Sequence, residues 1–189
     1  HGWHLIGRQA DGPDEVRKAV REQLRAGADV IKIFATGGVM TPGVEPNSAQ
    51  LTRDEVAAAT GEARKAGRRT AAHAQGADGI ANCLGGGITT IEHGIFLTEA
   101  LCRRMARDGI ALVPTLIAPH AIVEGGVAAG VPEFAVRKSL AVRERHAESF
   151  QMALRLGVPI AAGTDAGTPF NPHGSLVPEL ALMVKGGMA

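Results

Sequence analysis

The chain has 189 residues, 45% of them apolar, with a formal net charge of +1 and no basic block. That length holds one domain with a substantial core, and that apolar fraction excludes a disordered chain. Near-neutral charge, 3% aromatic residues and no tyrosine argue against a nucleic-acid or anionic-membrane surface, no apolar run is long enough to span a bilayer, and Cys83 and Cys102 are too few for a disulfide framework.

Strand-like and helix-like segments alternate along the chain. Residues 13–26 predict a helix: Pro13 suits its first turn with Asp14 and Glu15, Val16, Val20 and Leu24 repeat every four residues, and Gly27 suits the stop. A strand at 30–35 and a glycine-rich loop at 37–48 follow. Thr52-Arg53-Asp54-Glu55 reads as a capping box for a helix reaching about Ala66. Strand 69–74 leads to helix 77–84, strand 88–92 to helix 98–108, and strand 110–116 to a long connection holding a helix at 133–156. Strand 158–163, a loop and a helix at 175–185 complete the pattern.

Five short apolar strands separated by helices imply a parallel sheet with right-handed crossovers. Either an open doubly wound sheet or a (β/α)8 barrel would put a site at the carboxyl ends of the strands. A barrel needs about 250 residues and eight strands. The chain opens on His1-Gly2-Trp3-His4 without a start signal. The expectation is therefore an α/β fold of partial TIM-barrel type. Residues 1–189 would form a single catalytic-barrel segment, an excerpt lacking three strands and a small accessory domain.

One polar group stands at the end of each of four strands: Lys32, His73, His93 and Asp165. Side by side in a parallel sheet these groups converge, and Lys, His, His and Asp suit a hard or borderline divalent metal. Alternation puts Lys32 and Phe34 on one face and Ile31 and Ile33 on the other. A buried ammonium there would lose hydration and have a lowered pKa. The neutral amine can take up carbon dioxide as a carbamate able to bridge two metals; the alternative is a lysine paired with an acid. Two histidines at matching depth on neighbouring strands favour a metal over packing alone. Asp165 is either a metal-side group able to take a proton from water or the start of a turn.

The strings Gly27-Ala28-Asp29-Val30-Ile31-Lys32-Ile33, Ala72-His73-Ala74, Ile91-Glu92-His93-Gly94, Val113-Pro114-Thr115-Leu116 and Ala162-Gly163-Thr164-Asp165 resemble the amidohydrolase superfamily. The resemblance is to its imidazolonepropionase-like and Xaa-Pro dipeptidase/carboxypeptidase branch. It implies barrel strands 4–8, with Lys32 the carboxylated lysine, His73 and His93 the ligands on the next two strands, and Asp165 both metal ligand and general base. It implies a divalent metal, zinc, binuclear in the complete protein. The reaction implied is hydrolysis of amide or peptide C–N bonds in dipeptides or N-acyl amino acids of the Xaa-Pro type by a metal-activated hydroxide. The family's His-x-His pair is missing, so only the site of Lys32, His73 and His93 has all its protein ligands here.

His1, His120 and His173 are candidate substrate contacts, and His146, among Arg143, Glu144, Arg145 and Glu148, is expected on a solvated face. Cys83 and Cys102 are expected to pack. The expected partners are a small-molecule substrate and further copies of the chain, with no nucleic acid and no membrane, in the cytoplasm. Two other readings are a barrel enzyme for a phosphorylated substrate, suggested by the glycine-rich loops, and a non-catalytic oligomerising module.

Overall fold

The computed structural model describes residues 7–189. Its first half follows the apolar runs and caps closely. Helix α1 (Gly12–Arg25) places Val16 and Val20 against the sheet and against Ala59 and Ala63 of α2 (Arg53–Lys65). Thr52 and Glu55 form the capping box that starts α2, each satisfying a backbone N–H of the other. Strand β1 (Val30–Phe34) lies between these helices in sequence. Strand β2 (Arg69–Ala74), α3 (Ala77–Gly86), β3 (Thr90–His93) and α4 (Glu99–Asp108) repeat the pattern. Both Gly87 and Gly109 end their helices in the left-handed conformation that glycine adopts without strain.

The four strands, ending with β4 (Ala111–Val113), form one parallel sheet in the order β1-β2-β3-β4. Sequential order without a reversal distinguishes a barrel-type winding from a doubly wound sheet, which needs a switch point. Helices after successive right-handed crossovers in one direction fall on one face. Accordingly Ala72, Ala74, Ile91 and Leu112 pack with Val56, Ile80, Leu97 and Met105 in the main core. Cys83 and Cys102 belong to that core, as expected. Each buried Val, Ile, Leu or Met side chain of this core contributes about 1.5–3 kcal/mol. The opposite face stays open, and Val30 on it is 50% exposed.

Two features depart from the sequence expectation. The fifth strand is not formed as a strand. Residues 158–163 run parallel beside β4 but pair only through Ile160 with Leu112, by Leu112 N–H to Pro159 O (2.8 Å) and Ala161 N–H to Leu112 O (2.9 Å). The long connection holds an unexpected helix, α5 (Ile117–Gly125), before α6 (Glu133–Arg155). Helix α7 (Val177–Lys185) closes the chain. Among the described residues no helix is long and apolar enough to cross a membrane.

Candidate active site

Register sets the site. Phe34 pairs with His73, His73 with Glu92, and Glu92 with Val113, so these residues form one row across the sheet. Lys32 lies one pleat earlier on the same face of β1 and pairs with Ala71. The His73 ring is tilted against Phe34, with centroids 5.6 Å apart. Its Nε2–H donates to the Gly37 carbonyl at 2.8 Å, which puts the lone pair of the neutral ring on Nδ1. Gly37 is itself packed against the following loop, where a Cβ would lie 2.3 Å from the Glu45 carbonyl oxygen.

Strict alternation would send His93 to the helix side with Ile91. The backbone prevents this. His93 is left-handed (φ 73°) and Gly94 follows it (φ 61°), so the strand end turns over. The His93 ring then meets His73 edge-on, with centroids 4.6 Å apart. Thr115 (φ 53°) and Asp165 (φ 56°) are also left-handed, each just beyond the end of β4 or of the segment beside it. Non-glycine residues hold this conformation only where surrounding contacts impose it, and such residues cluster at functional sites.

Those contacts are visible. His93 Nδ1 and the Thr115 hydroxyl hydrogen-bond at 2.7 Å, so Nε2 is the ring nitrogen of His93 left to face a ligand. Behind Thr115, the fully buried carboxylate of Glu179 accepts the N–H groups of Leu116 (2.9 Å) and Ile117 (2.7 Å), capping α5 from α7. His146 donates from Nε2 to the carbonyls of His93 (3.0 Å) and Pro114 (2.8 Å).

Burial dominates the titration of the site. It lowers His73 to about 4, outweighing the Gly37 bond, and the Lys32 charge lowers it further. Burial, then His73, Lys32 and His146, hold His93 well below its ordinary value. Burial also raises the Glu92 carboxyl, although the Thr90 hydroxyl and Lys32 oppose the shift and Asp165 reinforces it. Lys32 and Asp165 therefore both lie within electrostatic reach of Glu92.

The predicted site residues fare differently. His73 and His93 come together. Lys32 is exposed rather than buried, because the face it occupies is open, with its Nζ 5.9 Å from the centre of the Phe34 ring. Its charge nevertheless acts on both histidines. Asp165 is half-buried at the end of the segment beside β4; its carbonyl, not its carboxylate, receives the Thr168 hydroxyl (3.0 Å) and the Asn171 amide (3.2 Å). His120 is paired with Glu124 at 3.1 Å on α5, and His173 is exposed in the loop before α7. His1 lies outside the described residues. His146 is not on a solvated face: it is 2% exposed and faces the ends of β3 and β4. Glu92, Thr115 and Glu179 are further residues of the site. The i, i+2 spacing from Thr90 puts Glu92 on the same face of β3, a signal present in the sequence, whereas nothing local in the sequence marks Glu179.

A metal needs neutral imidazoles, and His73 and His93 are held in that form at neutral pH. Among the described residues no three His, Cys, Asp or Glu side chains gather at metal-binding spacing. A third donor on this face would be Lys32, which can donate only as a carbamate, since an ammonium repels a cation. With that conversion the set of two imidazole nitrogens and a carbamate oxygen fits a borderline divalent ion.

The amidohydrolase family profile matches residues 2–189. Ochratoxinase from Aspergillus niger is 36% identical over 183 residues, covering 95% of this chain and 36% of its own length. A solved Xaa-Pro dipeptidase with methionine bound in its active site superposes with a TM-score of 0.86 at 36% identity, covering 95% of this chain and 44% of that one. A prolidase complexed with N-methylphosphonate-L-proline superposes with a TM-score of 0.87 at 32% identity, covering 96% and 44%. The chain thus spans less than half the length of these relatives, and its parallel sheet matches part of their barrel.

Proposed function

Because the chain belongs to the amidohydrolase family, we propose that it supplies the metal-binding half of a hydrolase acting on C–N bonds of small substrates. The observation that carries this reading is the neutral, edge-to-face pair His73 and His93 beside the charge of Lys32. The substrates proposed are dipeptides or N-acyl amino acids of the Xaa-Pro type, a choice supported by the dipeptidase and prolidase relatives.

In this reading His73, His93 and a carboxylated Lys32 would hold a divalent cation, zinc, and Asp165, which does not gather with the two histidines among the described residues, would serve as the base beside it. When bound, such a cation lowers the pKa of a water and polarises the scissile carbonyl. Asp165 takes the proton from the attacking water on its carboxylate and delivers it to the leaving nitrogen. The substrate would meet the site at the carboxyl ends of the strands, where His73, His93 and Thr115 stand. Thr115 keeps His93 in one ring orientation, as partners of metal-binding histidines do. A phosphate reading has less support, because Glu179 already occupies the N–H groups at the start of α5.

The test uses the whole protein supplied with zinc and bicarbonate. It is expected to cleave dipeptides with a C-terminal proline. Lys32→Ala is expected to abolish cleavage, and native mass spectrometry is expected to find the mass of carbon dioxide on Lys32. Cleavage that survives Lys32→Ala, or a strong chelator, overturns the reading.

A further inference from the structure

The segment leaving β3 is held in two directions. On one side its N–H groups reach the end of β2: Gly94 donates to Ala74 O (3.2 Å) and Phe96 to Gln75 O (2.8 Å). On the other side its alternate carbonyls, those of residues 93, 95 and 97, all point at α6. His146 donates to His93 O (3.0 Å), Ser149 to Ile95 O (2.6 Å) and Arg145 to Leu97 O. Side chains of one helix thus replace the neighbouring strand that would otherwise satisfy those oxygens. His146 does more than its neighbours, since the same N–H also reaches Pro114 O (2.8 Å) at the end of β4.

That second bond bears on the chemistry. Pro114 precedes Thr115, whose hydroxyl holds the His93 ring. A single buried N–H therefore fixes the backbone of His93 and the backbone that carries its ring partner. Both backbones are left-handed at non-glycine residues, a conformation that relaxes unless something outside the turn holds it.

We propose that His146 is a positioning residue: by joining the carbonyls of His93 and Pro114 it locks the two turns that aim the His93 ring at the cation. The bearing on metal rests on the proposed function; the hold on the two turns does not.

Two measurements on the full chain separate these claims. Hydrogen exchange in metal-free protein reads the hold. His146→Leu is expected to speed exchange at residues 93–97 and 115–117 by about tenfold or more, leaving α1 and β1 unchanged. His146→Gln, which offers an N–H at a similar reach, is expected to restore most of the protection. Zinc competition with a chromophoric chelator reads the consequence: His146→Leu is expected to weaken binding about tenfold, at the lower end of what lost partners of metal ligands cost, with His146→Gln close to the parent. Unchanged exchange in His146→Leu overturns the proposal, as does a loss of protection in His146→Gln as large as that in His146→Leu. So does lost protection with unchanged zinc affinity, provided that His93→Ala weakens zinc. If His93→Ala leaves zinc affinity unchanged, the metal reading fails while the exchange result still decides the hold. If His146→Leu does not fold, an exchange pattern in His146→Gln that differs globally rather than at the two turns overturns the proposal.

Discussion

His93 meets His73 edge-on, with ring centroids 4.6 Å apart, and the two rings are fastened from opposite ends of the sheet. The Gly37 carbonyl beyond β1 holds His73, and the Thr115 hydroxyl beyond β4 holds His93. Neither ring can swing toward solvent without breaking a buried hydrogen bond.

Stability should fall in mild acid. Unfolded, His73 and His146 bind protons near pH 6.5; folded, burial holds both at about 4. Between those values the unfolded state carries more protons, so stability decreases as pH drops from about 6.5 toward 4 and is insensitive above 7. His93, lowered as well, adds to the slope. Melting temperature measured from pH 8 to 4.5 is expected to be flat and then to decline steeply. A flat profile throughout would contradict the burial of these rings.

Lys32→Met should leave the fold intact and remove the chemistry. The side chain is exposed, and substitutions at such positions stay within about 0.5 kcal/mol. In metal-free protein without bicarbonate the lysine charge lowers His73, so its loss is expected to raise the His73 pKa in an NMR titration. With zinc and bicarbonate the same variant is expected to retain neither metal nor cleavage activity.

Thr115→Val keeps the shape at residue 115 and deletes the hydroxyl. His93 Nδ1 then loses its 2.7 Å partner in a buried setting, at a cost of about 1–3 kcal/mol. Zinc affinity is expected to drop by about 10–100-fold, read by chelator competition, while circular dichroism stays that of the parent.

Glu179→Ala should destabilise the whole domain. Its carboxylate is fully buried and accepts two N–H groups from the start of α5. Truncation leaves those donors without partners, an expected loss of about 2–3 kcal/mol in urea unfolding. Glu179→Gln keeps one acceptor oxygen and is expected to lose less. Equal losses in the two variants would mean that packing, not the cap, sets the contribution.

The sequence made the βα units readable where local signals agree. The Thr52–Glu55 box, the glycine stops and the strand-end histidines all depend on neighbours a few residues away. Helix α5 escaped notice for the opposite reason. It is apolar nearly all round, holds Pro119 inside its first turn, and takes its cap from an acid 62 residues away. His146 misled because Arg143, Glu144, Arg145 and Glu148 surround it in sequence. Helical spacing nevertheless puts Val142, His146, Ser149, Phe150 and Ala153 together in the interior. The segment 158–163 looked like a strand because it is apolar, but Pro159 has no N–H to donate and no strand covers its far side among the described residues.

Left-handed backbone at His93, Thr115 and Asp165 has a consequence for engineering. Each residue would relax as glycine, by an amount on the order of 1 kcal/mol. A library sorted only for heat resistance would therefore drift toward glycine at those three places and emerge sturdier, with its imidazole, hydroxyl and carboxylate gone. Any such campaign has to fix these codons before the first round.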